Sequence, residues 1–172
     1  MKRHIVLVGL PGCGKTTVGR LLAERLQAGF VDIDAIIERR EGKPITMIFA
    51  EKGEAAFRDM ERKEMETALA GDPAVIAPGG GWAAQPGAIE SAKGHALVVY
   101  LRTRPETAAQ RAGPEGNRPV LMGGDPVARM RELQKEREPF YRTANAEVDA
   151  DRKSTPQVVI EVVRLAQSSA GW

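Results

Sequence analysis

His4-Ile5-Val6-Leu7-Val8-Gly9-Leu10-Pro11-Gly12-Cys13-Gly14-Lys15-Thr16-Thr17 is the stretch on which the reading of the whole chain turns. Residues 9–16 have the spacing G-x-x-x-x-G-K-T. Glycines let a backbone wrap tightly enough for successive N–H groups to converge on phosphate oxygens. Lys15 adds a point charge at the outer phosphates, and the Thr16 hydroxyl can ligate Mg²⁺. The pattern alone arises by chance in roughly one chain in a hundred of this length, so the flanks carry the inference. His4 to Val8 is a short apolar run with β-branched residues, and Val18, Leu21, Leu22 and Leu26 recur at helical spacing. Strand, glycine loop, helix is the setting a phosphate site requires, because the helix then aims its positive end at the bound anion.

Outward from that loop, strands and helices alternate. A strand is expected over about 3–8 and a helix over about 15–27, stopped by Gly29. Phe30 to Asp34 reads as a short strand, followed by a helix over about 35–41, a short helix from Thr46 to Glu51 and a long one from Glu54 to Ala70. The run Ala74 to Ala77 is a buried-type strand ending in Pro78-Gly79-Gly80-Gly81. A weak helix at 84–93 precedes a clear strand at 96–101. Thr103 is expected to cap the next helix, with Glu106 at capping-box spacing. Asp125 caps another, running from Pro126 to about Thr143, which Pro139 breaks or kinks. A polar strand at 147–149 and a helix opened by Thr155-Pro156 follow. The reading is an α/β, three-layer P-loop NTPase-type fold in one domain over 1–172: a five-stranded parallel sheet with helices on both faces. Ligands bind such sheets beyond the carboxyl ends of the strands. Residues 9–16, Asp32 and Asp34, Gly79 to Gly81, Arg102 and residues 151–156 are therefore expected around one site.

Composition narrows the partners. The chain has 172 residues, 42% hydrophobic and 28% charged, with a net charge of +2, so no strong field favours nucleic acid. Its one cysteine, Cys13, excludes an internal disulfide framework. No apolar run approaches the roughly 20 residues of a membrane helix, and no signal peptide is recognisable. A cytoplasmic monomer handling small molecules is the expectation, with neither nucleic acid nor membrane as partner.

Several groups carry chemistry. Asp32-x-Asp34 in an extended segment would point both carboxylates to one side, one for Mg²⁺ and one for an acceptor hydroxyl; a surface turn, or Asp34 as a helix cap, is the bland alternative. The strand at 74–77 has no aspartate at its end, which favours Asp32 as the metal's charge. Gly79-Gly80-Gly81 removes side chains so that a ligand can approach the backbone. Arg58 and Glu61, three apart on a helix, are a plain ion pair or part of a substrate site; arginine suits a planar carboxylate. Residues 113–124, with Arg118 in the middle, read as a mobile lid over the phosphates, with a disordered surface loop as the alternative. Arg137 sits at the helix interruption nearby. His4 and His95 begin strands and read as structural. Trp82 is placed as a pocket wall, and the terminal Trp172 is given no role.

Together, residues 9–16, Asp32-Ile33-Asp34, Phe57-Arg58-Asp59-Met60-Glu61, Pro78 to Gly81, Asn117-Arg118-Pro119 and Arg137-Glu138-Pro139-Phe140-Tyr141 resemble the shikimate kinase family, over nearly the whole chain. The resemblance implies ATP-dependent phosphorylation of the 3-hydroxyl of shikimate, on the route to aromatic amino acids. It implies that Lys15 and Arg118 hold the transferring phosphate and that Asp34 holds the acceptor hydroxyl. Thr16 and Asp32 would serve Mg²⁺. Gly12, Cys13, Gly14, Lys15, Thr16 and Thr17 would bind ATP, with Arg111 and Pro156 sandwiching adenine and Arg118 above. Arg58 and Arg137 would grip the shikimate carboxylate, and Gly79, Gly80 and Gly81 would add backbone contacts. Val120 after Arg118-Pro119 and Trp82 after the glycines depart from the family pattern. Another small P-loop kinase, acting on gluconate or a nucleoside monophosphate, and a nucleotide-dependent binding module are the competing readings. The absence of an Asn-Lys-x-Asp motif disfavours a GTPase.

Overall fold

A computed structural model describes residues 1–112 and 124–172. The expected lid, with Arg118, lies outside the described residues except for Gly124. Five strands, β1 (His4–Val8), β2 (Gly29–Asp32), β3 (Ala74–Ala77), β4 (Ala96–Arg102) and β5 (Ala146–Asp149), form one parallel sheet in the order β2-β3-β1-β4-β5. The connections carry α1 (Lys15–Leu26), α2 (Ile33–Glu41), α3 (Ile45–Lys52), α4 (Glu54–Ala70), α5 (Ala88–Ala92), α6 (Pro105–Ala112), α7 (Pro126–Tyr141) and α8 (Thr155–Ser169).

The central strands explain the two-sided core. Every residue of β1 and β3 is buried, as expected of strands covered on both faces. Because side chains alternate along a strand, Val6, Val8, Ile76, Val98 and Tyr100 pack on one face, with α2, α3, α4 and α7. Ile5, Leu7, Val75, Leu97, Val99 and Leu101 pack on the other, with α1 and α8. Fully burying each such aliphatic side chain is worth about 1.5–3 kcal/mol.

Four expectations change. The second strand ends at Asp32, so Asp34 lies in the first turn of α2. Asp32, not Asp34, is the helix cap, its Oδ1 accepting from the Ala35 N–H at 3.2 Å; local capping outcompeted strand extension. Thr103 does not cap α6: its hydroxyl is buried with no hydrogen-bond partner among the described residues. Pro139 lies inside α7 without ending it; the helix runs on to Tyr141. Trp172 is not idle: its Nε1 donates to the Arg3 carbonyl at 2.9 Å, and the Lys2 ammonium sits 4.6 Å from its ring centroid. His4 is structural, as expected. It is buried, accepts from the Ala74 N–H at Nδ1 (3.1 Å), and lies 3.1 Å from the Leu69 carbonyl at Nε2. Among the described residues, no helix is long and apolar enough to cross a membrane.

Candidate active site

Beyond the carboxyl end of β1 the loop turns through Gly12 and Gly14, both with positive φ (80° and 96°). Gly12 also has no room for a side chain, since a Cβ would lie 2.3 Å from the Ala108 carbonyl oxygen and 3.0 Å from the Ala112 nitrogen. The loop is thus seated directly on α6. Lys15 is buried and its ammonium donates to the loop's own carbonyls, Gly9 at 2.7 Å and Leu10 at 2.9 Å, with Cys13 Sγ at 3.5 Å. These bonds curl the loop around the charge. The Cys13 thiol is buried beneath it.

A cleft of about 630 Å³ opens over this loop, lined by Gly12, Gly14, Lys15, Thr16, Thr17, Asp32, Asp34, Ala35, Glu38, Ile45, Arg111, Ala112 and Thr155. The sequence reading placed Lys15, Thr16, Thr17, Asp32, Asp34 and Arg111 together, and the structure does so. The Thr16 hydroxyl donates to Asp32 Oδ2 at 3.3 Å. That proximity gives two hard oxygens side by side, the donor type Mg²⁺ takes. The two aspartates converge through a strand end and a helix turn, not through the period of one strand. Thr155, not the exposed Pro156, lines the cleft. Arg102 stays away from it, paired with Glu147 at 3.0 Å and Asp149 at 3.7 Å.

Beside Asp34 lies a second group, centred on the three glycines after β3. A Cβ on Gly79 would lie 2.2 Å from Glu61 Oε2 and 2.9 Å from Asp34 Oδ1. On Gly80 it would lie 3.0 Å from the Gly9 carbonyl oxygen and 3.1 Å from an Arg137 nitrogen, and on Gly81 2.3 Å from the Arg58 guanidinium carbon. The glycines therefore make room for charged protein side chains as well as any ligand. Arg58 donates to Glu61 at 2.6 Å and to Glu54 at 3.3 Å, so the ion pair and the site role coexist. Its Nε is buried without a partner among the described residues.

Of two further members of this group, sequence reasoning left Glu61 between an ion pair and a substrate site and gave Tyr141 no role of its own. Glu61 is wholly buried. Burial, then repulsion from Asp34, push its carboxyl up to about 7, against the pull of Arg58 and Arg137. Tyr141 is buried, and its hydroxyl donates to the Gly80 carbonyl at 2.9 Å; burial pushes its phenol up to about 12. The spacing of Glu61 from Arg58 was the available signal for the first. Nothing local pointed to the second. Trp82 walls a separate cavity of about 410 Å³, between α4 and α5, on whose rim Arg58 also stands.

Comparison with known proteins accords with this arrangement. A family model described as Shikimate kinase matches residues 11–167. A shikimate kinase of Symbiobacterium thermophilum is 44% identical over 167 residues, covering 95% of this chain and 96% of that protein. One from Mycobacterium avium is 43% identical, covering 99% and 97%. The solved structure of shikimate kinase from Acinetobacter baumannii in complex with shikimate is 37% identical with a TM-score of 0.93, covering 98% of this chain and 94% of that one. A deoxyadenosine kinase from M. mycoides, 16% identical with a TM-score of 0.66 over 97% of this chain and 100% of its own, shares the fold alone. With the family model spanning nearly all of the sequence, the chain belongs to the shikimate kinase family.

Proposed function

We propose that the cleft transfers the terminal phosphoryl group of ATP to the 3-hydroxyl of shikimate, giving shikimate 3-phosphate, ADP and a proton. The observation that carries this reading is the junction at Asp34. That residue lines the phosphate cleft and also flanks Gly79 and Glu61, next to Arg58 and Arg137. One carboxylate thus touches a nucleotide half and an anion-binding half.

The roles follow from chemistry. Lys15 leaves its loop carbonyls for the outer phosphates, where its charge offsets the negative charge of the transferring group. Gly12, Cys13, Gly14 and Thr17 supply loop contacts to the phosphates. Arg118, in the segment 113–124, joins Lys15 at the transferred group. Asp34 orients the acceptor hydroxyl in line and takes its proton. Arg58 and Arg137 hold the shikimate carboxylate, with Gly80 and Gly81 leaving their backbone open to the ring. Arg111 and Thr155, at the outer end of the cleft, flank the nucleobase. Thr16 and Asp32 would hold Mg²⁺, whose charge would offset that of the phosphates. The protein works as a single domain, a cytoplasmic monomer on this reading.

ADP release from ATP and Mg²⁺ with a panel of shikimate, gluconate and nucleoside monophosphates tests the proposal. Shikimate is expected to raise turnover far above buffer. Turnover with gluconate or a nucleotide, and none with shikimate, overturns it.

A further inference from the structure

Asp151 lies 47 residues from Arg104 in sequence, in the segment between β5 and α8, yet its carboxylate supplies the start of α6. Its Oδ1 accepts from the Arg104 N–H at 3.3 Å, and its Oδ2 accepts from Arg104 Nε at 2.6 Å. The Thr107 hydroxyl also bonds to it, and these bonds hold its carboxyl below the ordinary value. Although Arg104 is 73% exposed, Asp151 is only 8% exposed. This is the cap that Thr103 does not provide, delivered from another part of the chain. A carboxylate at that end of α6 also opposes the helix's positive pole.

The same two elements meet again at the other end of α6. Both terminal nitrogens of Arg111 lie 3.4 Å from the Ala150 carbonyl. Asp149 tightens the segment from within, accepting from the Asp151 and Arg152 N–H groups at 2.9 and 3.2 Å. Ala150 and Asp151 are therefore tied to both ends of α6. The phosphate loop is seated on that helix at Gly12, and Arg111 and Thr155 flank the outer end of the cleft.

We propose that Asp151 is a positioning residue for the nucleoside end of the nucleotide. By tying the segment before α8 to α6, it sets the width of the slot between Arg111 and Thr155 without touching the phosphates or the acceptor. The proposal rests on the reading that the nucleobase enters that slot. Loss of the tie lets the α8 side of the slot move while the loop at Gly12 stays seated, so only ligands with a nucleoside feel it.

Calorimetric titration of ADP and of inorganic tripolyphosphate tests this. The proteins are wild type, Asp151→Ala, Asp151→Asn and Arg111→Ala, each well below its melting temperature. Asp151→Ala is expected to weaken ADP about tenfold, with Asp151→Asn between it and wild type because it keeps an oxygen for the Arg104 N–H. Tripolyphosphate affinity, the KM for shikimate and kcat at saturating ATP stay at wild-type values. If Asp151→Ala does not fold, the Asp151→Asn titration decides alone. Unchanged ADP affinity in the Asp151 variants, with ADP weakened in Arg111→Ala, overturns the proposal and leaves the slot reading standing. Unchanged affinity in Arg111→Ala as well overturns both. Equal weakening of ADP and tripolyphosphate overturns the proposal by placing the effect at the phosphate loop.

Discussion

Gly81 and Arg58 are in contact in the proposed acceptor half of the site, with the guanidinium lying where a Cβ on Gly81 would be, 2.3 Å from its carbon. A methyl group there must push Arg58 aside, because the glycine belongs to backbone bonded at both neighbours: the Trp82 N–H donates to Gly79 O at 3.1 Å, and Tyr141 bonds Gly80 O. Gly81→Ala is expected to raise the KM for shikimate by about tenfold or more, the equivalent of roughly 1.4 kcal/mol. The KM for ATP should stay as it is. Steady-state kinetics with each substrate varied in turn provide the check, and an unaltered shikimate KM would show that Arg58 does not grip the acceptor.

Asp34 tests the chemistry itself. Asp34→Asn keeps the shape and removes the proposed base, so kcat is expected to fall by about 10²–10⁴ while ADP binding is retained. Turnover within a few-fold of wild type, alongside normal ADP affinity, would count against any proton transfer to this carboxylate.

Glu61 gives a pH signature. Its folded value of about 7 stands above the ordinary 4.5, so the folded protein keeps a proton that the unfolded chain releases. The stability tied to that proton is complete below pH 4.5 and is lost as the pH rises through about 7. Glu61→Gln cannot ionise. Its melting temperature relative to wild type is therefore expected to climb between pH 4.5 and 7, measured by scanning calorimetry at constant ionic strength. A difference that stays flat across that range would place the Glu61 proton elsewhere.

His4 ties β1 to the end of α4 at Leu69 and to the start of β3 at Ala74. His4→Ala leaves a buried N–H without its acceptor and removes a second bond, a loss of about 2–4 kcal/mol. For a chain of this size that is a drop in melting temperature of roughly 5–15 °C. Activity measured well below the transition should survive, since the imidazole is at the opposite end of β1 from the loop. A variant that melts like wild type would mean that water replaces both bonds.

What the sequence made legible follows from how local each signal is. β1, the helix after the phosphate loop and β3 were placed within a residue or two, because apolar runs and glycines mark them directly. The cleft residues from Lys15 to Asp34 were found for the same reason, although the two aspartates meet by a different route from the one expected: Asp32 satisfies the Ala35 N–H and so starts a helix where a strand was drawn. The contacts that escaped are those made at long range. Thr103 has the right spacing for a cap, yet the cap comes from Asp151. Glu61 by spacing is an ion pair or part of a substrate site, and only the packing of Gly79 against it reveals burial. Tyr141 and Trp172 act through backbone carbonyls 61 and 169 residues away, distances at which sequence spacing carries no information.

The sheet order has a consequence for synthesis. β1 is made first but sits third, between β3 and β4, so it has no partner until residues 74–77 leave the ribosome and keeps one edge open until residues 96–102 do. Gly12 cannot settle before Ala108 and Ala112 are present beneath it. Emerging chains therefore pass through a long interval in which the phosphate loop has no helix to seat on. Parallel pairings of this separation are slow to form. Chaperone occupancy during translation should peak before α6 appears and fall once it has docked.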